Sequence, residues 1–464
     1  MNPRSLGQIA KLAGGSLAAG NADTTISRIS TDSRSLQAGD LFVPLRGENF
    51  DGHKFVQQAV ERGAAGAMVE ESWKGAAPGG FALIRVADTL VGYQTLAANY
   101  RASLPLKVIA ITGSNGKTST KDFVAATLAK KFRVTKTEGN FNNHVGLPQT
   151  MLAANPEDEI AVWEIGMNHP GEIAALAKLA APDVAIVTNV GMAHIEFMGS
   201  REAIAAEKGA LAEAVGQGGT VILNADDPFS EGIAKLTRAR IVLAGIENGS
   251  VRAGDVRQSA TGSDFTILEG AHRCRAQLPV PGVHMVQNAM LAVAAGRAFG
   301  LSLEECAVGL ASTPLTKARL QITEINGIQF IDDSYNANPD SMKAALRTLI
   351  ELDADGRRVA VLGEMGELGE ESERGHREVG EAAAELNVDE LIAVGPTGAA
   401  IARAAEKAGL ENSKAVDSPE QAAELLGENA APGDLILVKG SRTARMERVL
   451  EAFAKRRSPE EVAP

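Results

Sequence analysis

Cysteine is almost absent: of 464 residues only Cys274 and Cys306 carry a thiol. Two such residues give no disulfide framework, and neither CxxC spacing nor clustered histidines suggests a zinc site. A reducing compartment is the expected setting. Aromatic residues make up only 4%, and no apolar run reaches the about 18 residues that a membrane-spanning helix needs. The N-terminal segment MNPRSLGQIAKLAGG is broken by Arg4 and Lys11, unlike a secretory signal. The expected location is therefore the cytoplasm. Positive charge is in deficit, with 46 Lys and Arg against 58 Asp and Glu and a net charge of -12. Such a surface repels the phosphate backbone, which argues against nucleic acid as a partner. A small anion is still compatible, because a few cations and backbone amides in one cleft outweigh a distant net charge.

Glycine, in contrast, is abundant at 48 residues, more than the ~7% usual in globular chains. Many tight turns follow. With 45% hydrophobic and 22% charged residues the composition is that of a folded globular protein, and at ~150 residues per domain the length predicts about three domains. Residues 1–104 mix short apolar stretches with turns and end in a helical pattern over 89–102, before Leu104-Pro105. Strand-length apolar runs then occupy 108–112, 160–165, 184–188 and 221–223, separated by alanine-rich helical stretches. This alternation predicts a mostly parallel sheet covered by helices. A second series at 328–331, 359–362, 391–394 and 435–438 predicts another α/β sheet. Residues 251–280 are less periodic and predict hairpins at the edge of the middle domain. No internal repeat is found.

Directly after the strand 108–112 comes Gly113-Ser-Asn-Gly116-Lys117-Thr118-Ser119, followed by a helical pattern. Glycines let backbone amides turn towards a phosphate, and the helix N-terminus adds positive potential. Lys117 can reach the β and γ oxygens, and the Thr118 hydroxyl can hold magnesium. Ile111 stands where the first glycine of GxxxxGK[ST] would be, so the loop is the shorter TGxxGKT form. Binding of ATP or GTP is the inference, with Gly113, Asn115, Gly116, Lys117, Thr118 and Ser119 around the phosphates.

Other residues are less telling by themselves. Glu164 ends an apolar strand, where ligands of open α/β sheets sit, yet a strand-end glutamate can equally pair with a surface cation. His194 lies beyond the end of another strand, and most lone histidines are structural. Lys208, in Ala205-Ala-Glu-Lys-Gly209, reads by default as a solvated helix lysine. His284 and Asn288 share a helix face at i and i+4; Asn288 could address a base edge, or the pair could be packing. Arg319, near the start of the third domain, could clamp a phosphate or form an interface salt bridge.

Taken in order, these segments resemble the Mur ligases, ATP-dependent enzymes that build the peptide of bacterial cell-wall precursors. The resemblance covers the whole chain. It is carried by Thr31-Asp-Ser-Arg34, Gly39-Asp-Leu-Phe42, Leu45-Arg-Gly-Glu-Asn-Phe-Asp-Gly-His53, Gly139-Asn-Phe-Asn-Asn143, Asp332-Asp-Ser-Tyr-Asn-Ala-Asn-Pro339 and Leu362-Gly-Glu-Met-Gly-Glu-Leu-Gly369. Within the family it is narrowest to the member joining D-alanyl-D-alanine to UDP-N-acetylmuramoyl-tripeptide. The DNPR string of the diaminopimelate-adding relative is missing.

The resemblance implies an α/β protein of three domains: a small N-terminal α/β domain (1–104) for the UDP-sugar, a central P-loop ATPase domain (105–316) with a mostly parallel sheet, and a C-terminal Rossmann-like α/β domain (317–464) for the incoming dipeptide. It places Ser33, Arg34 and the loop from Arg46 to His53 at the UDP-sugar. Lys117 and Thr118 go to the ATP phosphates and magnesium, Glu164 and His194 to magnesium, and Lys208, as a carbamate, to a second magnesium. Lys117, Glu164, His194 and Lys208 form the catalytic set.

Asn140, Asn142 and Asn143 would face the nucleotide-sugar peptide. Asn288 would meet adenine, Arg319 the γ-phosphate, Asp333 the ribose, and Tyr335 would stack beside the nucleotide. Asn336, Asn338 and the stretch Lys439-Gly-Ser-Arg442 would meet the dipeptide, and the loop 362–369 lines the same cleft. The implied chemistry is phosphorylation of a carboxylate by ATP and displacement of phosphate by an amine, serving peptidoglycan synthesis and hence cell shape and division. A monomer is expected. The rivals are a sibling ligase that adds glutamate to folate or another amino acid to a nucleotide-sugar peptide, and a nucleotide-dependent switch. The first-domain and Asp332 to Pro339 strings weigh against the sibling, and a switch has no use for Glu164, His194 and Lys208 around its loop.

Overall fold

A computed structural model of the chain describes residues 1–76, 78–314 and 316–457. They form two compact units. The first consists of residues 1–110, 132–166 and 172–183, and the second of residues 111–131, 167–171 and everything from 184 onwards.

The first unit holds a five-stranded sheet in the order Ser16–Ala19, Ala82–Val86, Gly66–Glu70, Leu41–Phe42, Ile29–Ser30. All neighbours are parallel except Ser16–Ala19, which runs antiparallel to Ala82–Val86. Gly66–Glu70 is buried along its full length, as a central parallel strand must be when both faces are covered. Phe42, Val56, Ala59, Ala67, Val69 and Leu83 make the core beside it. The helix Thr89–Ala102 forms where the helical pattern predicts it. The Asp88 carboxylate accepts from Val91 N at 2.8 Å, satisfying a donor of the first turn, and Tyr93, Leu96 and Tyr100 are buried. The same unit contains the parallel pair Val134–Lys136 and Ile160–Glu164.

In the second unit Val184–Val187, Thr220–Asn224, Arg240–Gly245 and Val251–Ser259 follow one another as parallel neighbours. Gly262–Glu269 and His272–Leu278 then extend the sheet antiparallel, the hairpins predicted for 251–280. The helices Lys117–Leu128 and Val283–Ala298 are buried along most of their length. A second sheet runs Gln321–Ile325, Ile328–Asp333, Leu435–Lys439, Arg358–Gly363, Glu390–Val394, Ser413–Val416. It is parallel throughout except at Gln321–Ile325. Its core includes Phe330, Val361, Ile392, Ile436 and Phe453. Asn338 caps the helix Pro339–Glu351, accepting from Ser341 N at 3.0 Å, with Pro339 in the first turn, where its missing N–H costs nothing. Among the described residues no helix is long and apolar enough to cross a membrane.

Candidate active site

The loop that follows Ile111-Thr112 is held open by two glycines that nothing larger could replace. Gly113 has φ +153°, and a Cβ on it would lie 1.7 Å from Thr188 Oγ1. Gly116, at φ +77°, is the N-cap of Lys117–Leu128, and its Cβ would lie 2.6 Å from the Asn288 amide. The loop thus enters the helix at its N-terminus, the end that attracts anions, while the amides of Ser114 and Asn115 donate to Asn189 at 3.0 and 2.9 Å. Lys117 Nζ donates to Gly113 O at 2.8 Å, keeping the ammonium over the loop.

The loop is braced by the residues after Val184–Val187. Thr188 Oγ1 donates to Asn115 O at 2.6 Å, Asn189 Oδ1 accepts from Asn115 N at 2.9 Å, and Ser114 Oγ accepts from Gly191 N at 2.8 Å. A second set of braces comes from the rim of the C-terminal sheet. Asn338 Nδ2 donates to Asn115 Oδ1 at 2.7 Å, and Asp340 Oδ2 accepts from Met192 N at 2.9 Å. Thr188, Asn189 and Asp340 were not singled out from sequence; only their places just after a strand and in a first helical turn hinted at them.

His194 stands at the N-cap of the short helix Ile195–Met198 with φ +62°. Its Nδ1 is 2.5 Å from Glu367 Oε2, although the N–H is not aligned for a full hydrogen bond. Lys208 lies on the inner face of Arg201–Glu213 and is 1% exposed, so it is not a solvated lysine. No acceptor bonds its ammonium among the described residues. Burial, reinforced by the charge of Lys117, holds its proton affinity well below that of an ordinary lysine.

Arg319 stacks over Tyr335, with the guanidinium 4.1 Å from the ring centre. Its buried Nε has no partner among the described residues. Arg319 also lines a small cavity with Ser119, Asp122, Phe123, Met285 and Thr316. Asp333 is buried, and Lys439 Nζ donates to its Oδ2 at 2.5 Å and to Asn336 O at 3.0 Å. Burial and, secondarily, Lys439 push His284 down to about 4, against the pull of Asp333.

Lys439 and Asn338, expected at the incoming dipeptide, thus have their polar atoms engaged inside the protein, one by Asp333 and one by Asn115 and the helix it caps. Their sequence setting concealed this, because polar residues at strand and helix ends look available until partners are known. Asn336 Oδ1 accepts from Ala337 N at 2.9 Å, while Arg442 is exposed and pairs with Glu447 at 2.9 Å.

The remaining candidates belong to the first unit. Glu164, 3% exposed, ends its strand and accepts from Asn142 Nδ2 at 2.7 Å. Asn143 Oδ1 accepts from Gly146 N at 2.8 Å, and Asn140 is exposed. Arg46 bridges Asp51 at 3.2 Å and Glu70 at 2.9 Å. Arg34 is exposed beside half-buried Ser33 and pairs with Asp32 at 2.8 Å, holding that carboxyl at about 2.

Three family models match this chain: Mur ligase middle domain over residues 111–296, Mur ligase, glutamate ligase domain over 318–442, and Mur ligase family, catalytic domain over 25–78. The chain belongs to the Mur ligase family. It is accordingly an ATP-dependent amide-forming ligase. It is similar to the UDP-N-acetylmuramoyl-tripeptide--D-alanyl-D-alanine ligases of Bacillus subtilis and Escherichia coli. The first is 40% identical over 457 residues, covering 97% of this chain and 98% of the relative. The second is 36% identical over 443 residues, covering 93% and 94%. A MurF crystal structure from Acinetobacter baumannii superposes with a TM-score of 0.90 at 34% identity, covering 98% of this chain and 99% of its own. The MurF ligase of Thermotoga maritima in complex with ADP gives 0.82 at 29% identity, covering 92% and 97%.

The donor set suits the magnesium that such ligases use with ATP. Among the described residues no three Asp, Glu, His or Cys side chains gather into a ready cage. Magnesium commonly takes one or two protein ligands beside phosphate oxygens and water. The glycine-lined loop and the Thr118 hydroxyl in the first turn after it match that sparse arrangement.

Proposed function

We propose that this Mur ligase joins D-alanyl-D-alanine to UDP-N-acetylmuramoyl-tripeptide, giving the pentapeptide precursor of peptidoglycan, with ADP and phosphate as co-products, and works in the cytoplasm. The observation that carries the substrate assignment is the full-length likeness to relatives of that activity, 40% identical across 97% of the chain. Residues 1–104 take the UDP-sugar through Ser33, Arg34 and Arg46, with Asn140, Asn142 and Asn143 towards its peptide. Residues 105–316 take ATP, and 317–464 take the dipeptide through Asn336 and Arg442.

A carboxylate and an amine do not condense usefully in water. The tripeptide carboxylate therefore attacks the γ-phosphorus, forming an acyl phosphate and releasing ADP. The dipeptide amine then attacks the acyl carbon, expelling phosphate as the amine proton leaves. The loop Gly113 to Ser119, at its helix N-terminus, and the Lys117 ammonium hold the phosphates and offset charge on the transferring group. Magnesium would add to that neutralisation, one ion held by Thr118, Glu164 and His194 and a second by Lys208 as its carbamate. Arg319 receives the γ-phosphate, Asp333 the ribose, Asn288 the adenine, and Tyr335 backs the nucleotide. No side-chain nucleophile is needed.

Lys208 serves as its carbamate. Burial favours the neutral form of the amine, and a neutral amine adds to carbon dioxide with loss of one proton. The product is an anion able to bind a cation where the bare ammonium would repel one. The test is phosphate release from ATP with each substrate alone and with both, and mass spectrometry of the product. Release and a pentapeptide only with both substrates is the expected result; ATP turnover without them, or no peptide with both, overturns it.

A further inference from the structure

Glu367, within the loop 362–369, has no role of its own assigned above. It sits in the loop after Arg358–Gly363, at φ +59°, with its side chain 46% exposed. Its carboxylate touches the one histidine expected to bind magnesium, Oε2 lying 2.5 Å from His194 Nδ1. The opposite ring nitrogen of His194, Nε2, makes no hydrogen bond among the described residues.

The two partners also share an uncommon backbone. His194 at φ +62° and Glu367 at φ +59° are both bulky residues in the left-handed region. Holding two such residues there costs more than a partly exposed polar contact returns. The contact is therefore not explained as a device for stability, and strain of this kind collects at functional sites. One backbone tie accompanies it, Glu196 N donating to Glu367 O at 3.3 Å, which fixes the loop against the helix that follows His194.

We propose that Glu367 is a positioning residue for His194: its carboxylate, in close contact with Nδ1, restrains the ring and thereby presents Nε2 to the divalent cation of the nucleotide complex. The principle is general for metal-binding histidines, whose second nitrogen is commonly fixed by a carboxylate that sets the tautomer and raises ligand basicity. Glu367 reaches across from the C-terminal sheet of the second unit, so cation affinity becomes dependent on the placement of that loop. The inference rests on His194 being a cation ligand.

The test uses the full chain, a non-hydrolysable ATP analogue and Mn2+, with free Mn2+ read by electron paramagnetic resonance and folding checked by thermal melting. Glu367→Ala is expected to weaken Mn2+ binding ~10-fold without lowering the melting temperature. Glu367→Asp is expected to restore part of the loss. In the His194→Ala background, itself weakened, Glu367→Ala is expected to add nothing. If His194→Ala binds Mn2+ like the native protein, the ligand role of His194 fails and the proposal with it. If His194→Ala is weakened but Glu367→Ala is not, or if the two losses add, the positioning role alone is overturned.

Discussion

Asp333 and Lys439 close two neighbouring parallel strands in register, and their side chains meet 2.5 Å apart with almost no solvent around them. Burial lowers the proton affinity of Lys439 while Asp333 raises it. A buried pair of this kind adds little net stability, but breaking one half leaves an uncompensated charge. Lys439→Met is therefore expected to destabilise the protein by about 3–5 kcal/mol. Lys439→Met with Asp333→Asn should cost less than the sum of the two single changes. Denaturant unfolding of the three variants measures this.

Lys208→Ala should lose activity on the order of 10²-fold or more, as when a charge-stabilising group is removed from an active site. Short carboxylic acids added to the assay should restore part of it. Stripping bicarbonate from native enzyme should lower activity reversibly. Because burial keeps the proton affinity of Lys208 low, the neutral amine persists at pH values where exposed lysines are charged, and carbamate occupancy should rise with pH. Mass spectrometry under gentle conditions, or carbon-13 labelling with bicarbonate, reads that occupancy.

Substitutions in the phosphate loop should differ in severity. Gly113→Ala drives a Cβ to 1.7 Å from Thr188 Oγ1, a group that braces the loop, whereas Gly116→Ala meets the tip of Asn288 at 2.6 Å. Both also force alanine into positive φ. Calorimetric ATP affinity should fall in both variants and further in Gly113→Ala.

His284 titrates well below an unfolded histidine, at about 4 rather than 6.5. Between those values the unfolded chain binds a proton that the folded chain does not, so stability falls as pH drops from 6.5 to 4. Replacing it with glutamine, His284→Gln, should flatten that acid limb in unfolding midpoints measured across the interval.

The strands legible in the sequence were those buried on both faces, such as Val184–Val187 and Leu435–Lys439, whose apolar runs are continuous. Strands missed there include Val134–Lys136, Gln321–Ile325 and Ser413–Val416, which lie at sheet edges and are half-buried or exposed. An edge strand buries only part of its surface, so its residues stay mixed. The phosphate loop was legible because glycine, lysine and threonine at fixed spacing carry their chemistry locally. Lys208 was not, since its burial depends on which helix face packs inward. The partnership of Asn115 with Asn338, 223 positions apart, has no local signature at all.

Neither unit is a continuous stretch of chain. The first needs residues up to 183, yet the segment 111–131 enclosed within that stretch belongs to the second. During synthesis the first unit can therefore be complete while the glycine loop and the helix behind it, already made, have no core to join. At ~5–20 residues per second that wait lasts on the order of half a minute. The glycine loop is thus translated before the core that encloses it, and Phe123, Val124 and Leu128 of the helix behind it, buried in the finished protein, stay uncovered until that core is made.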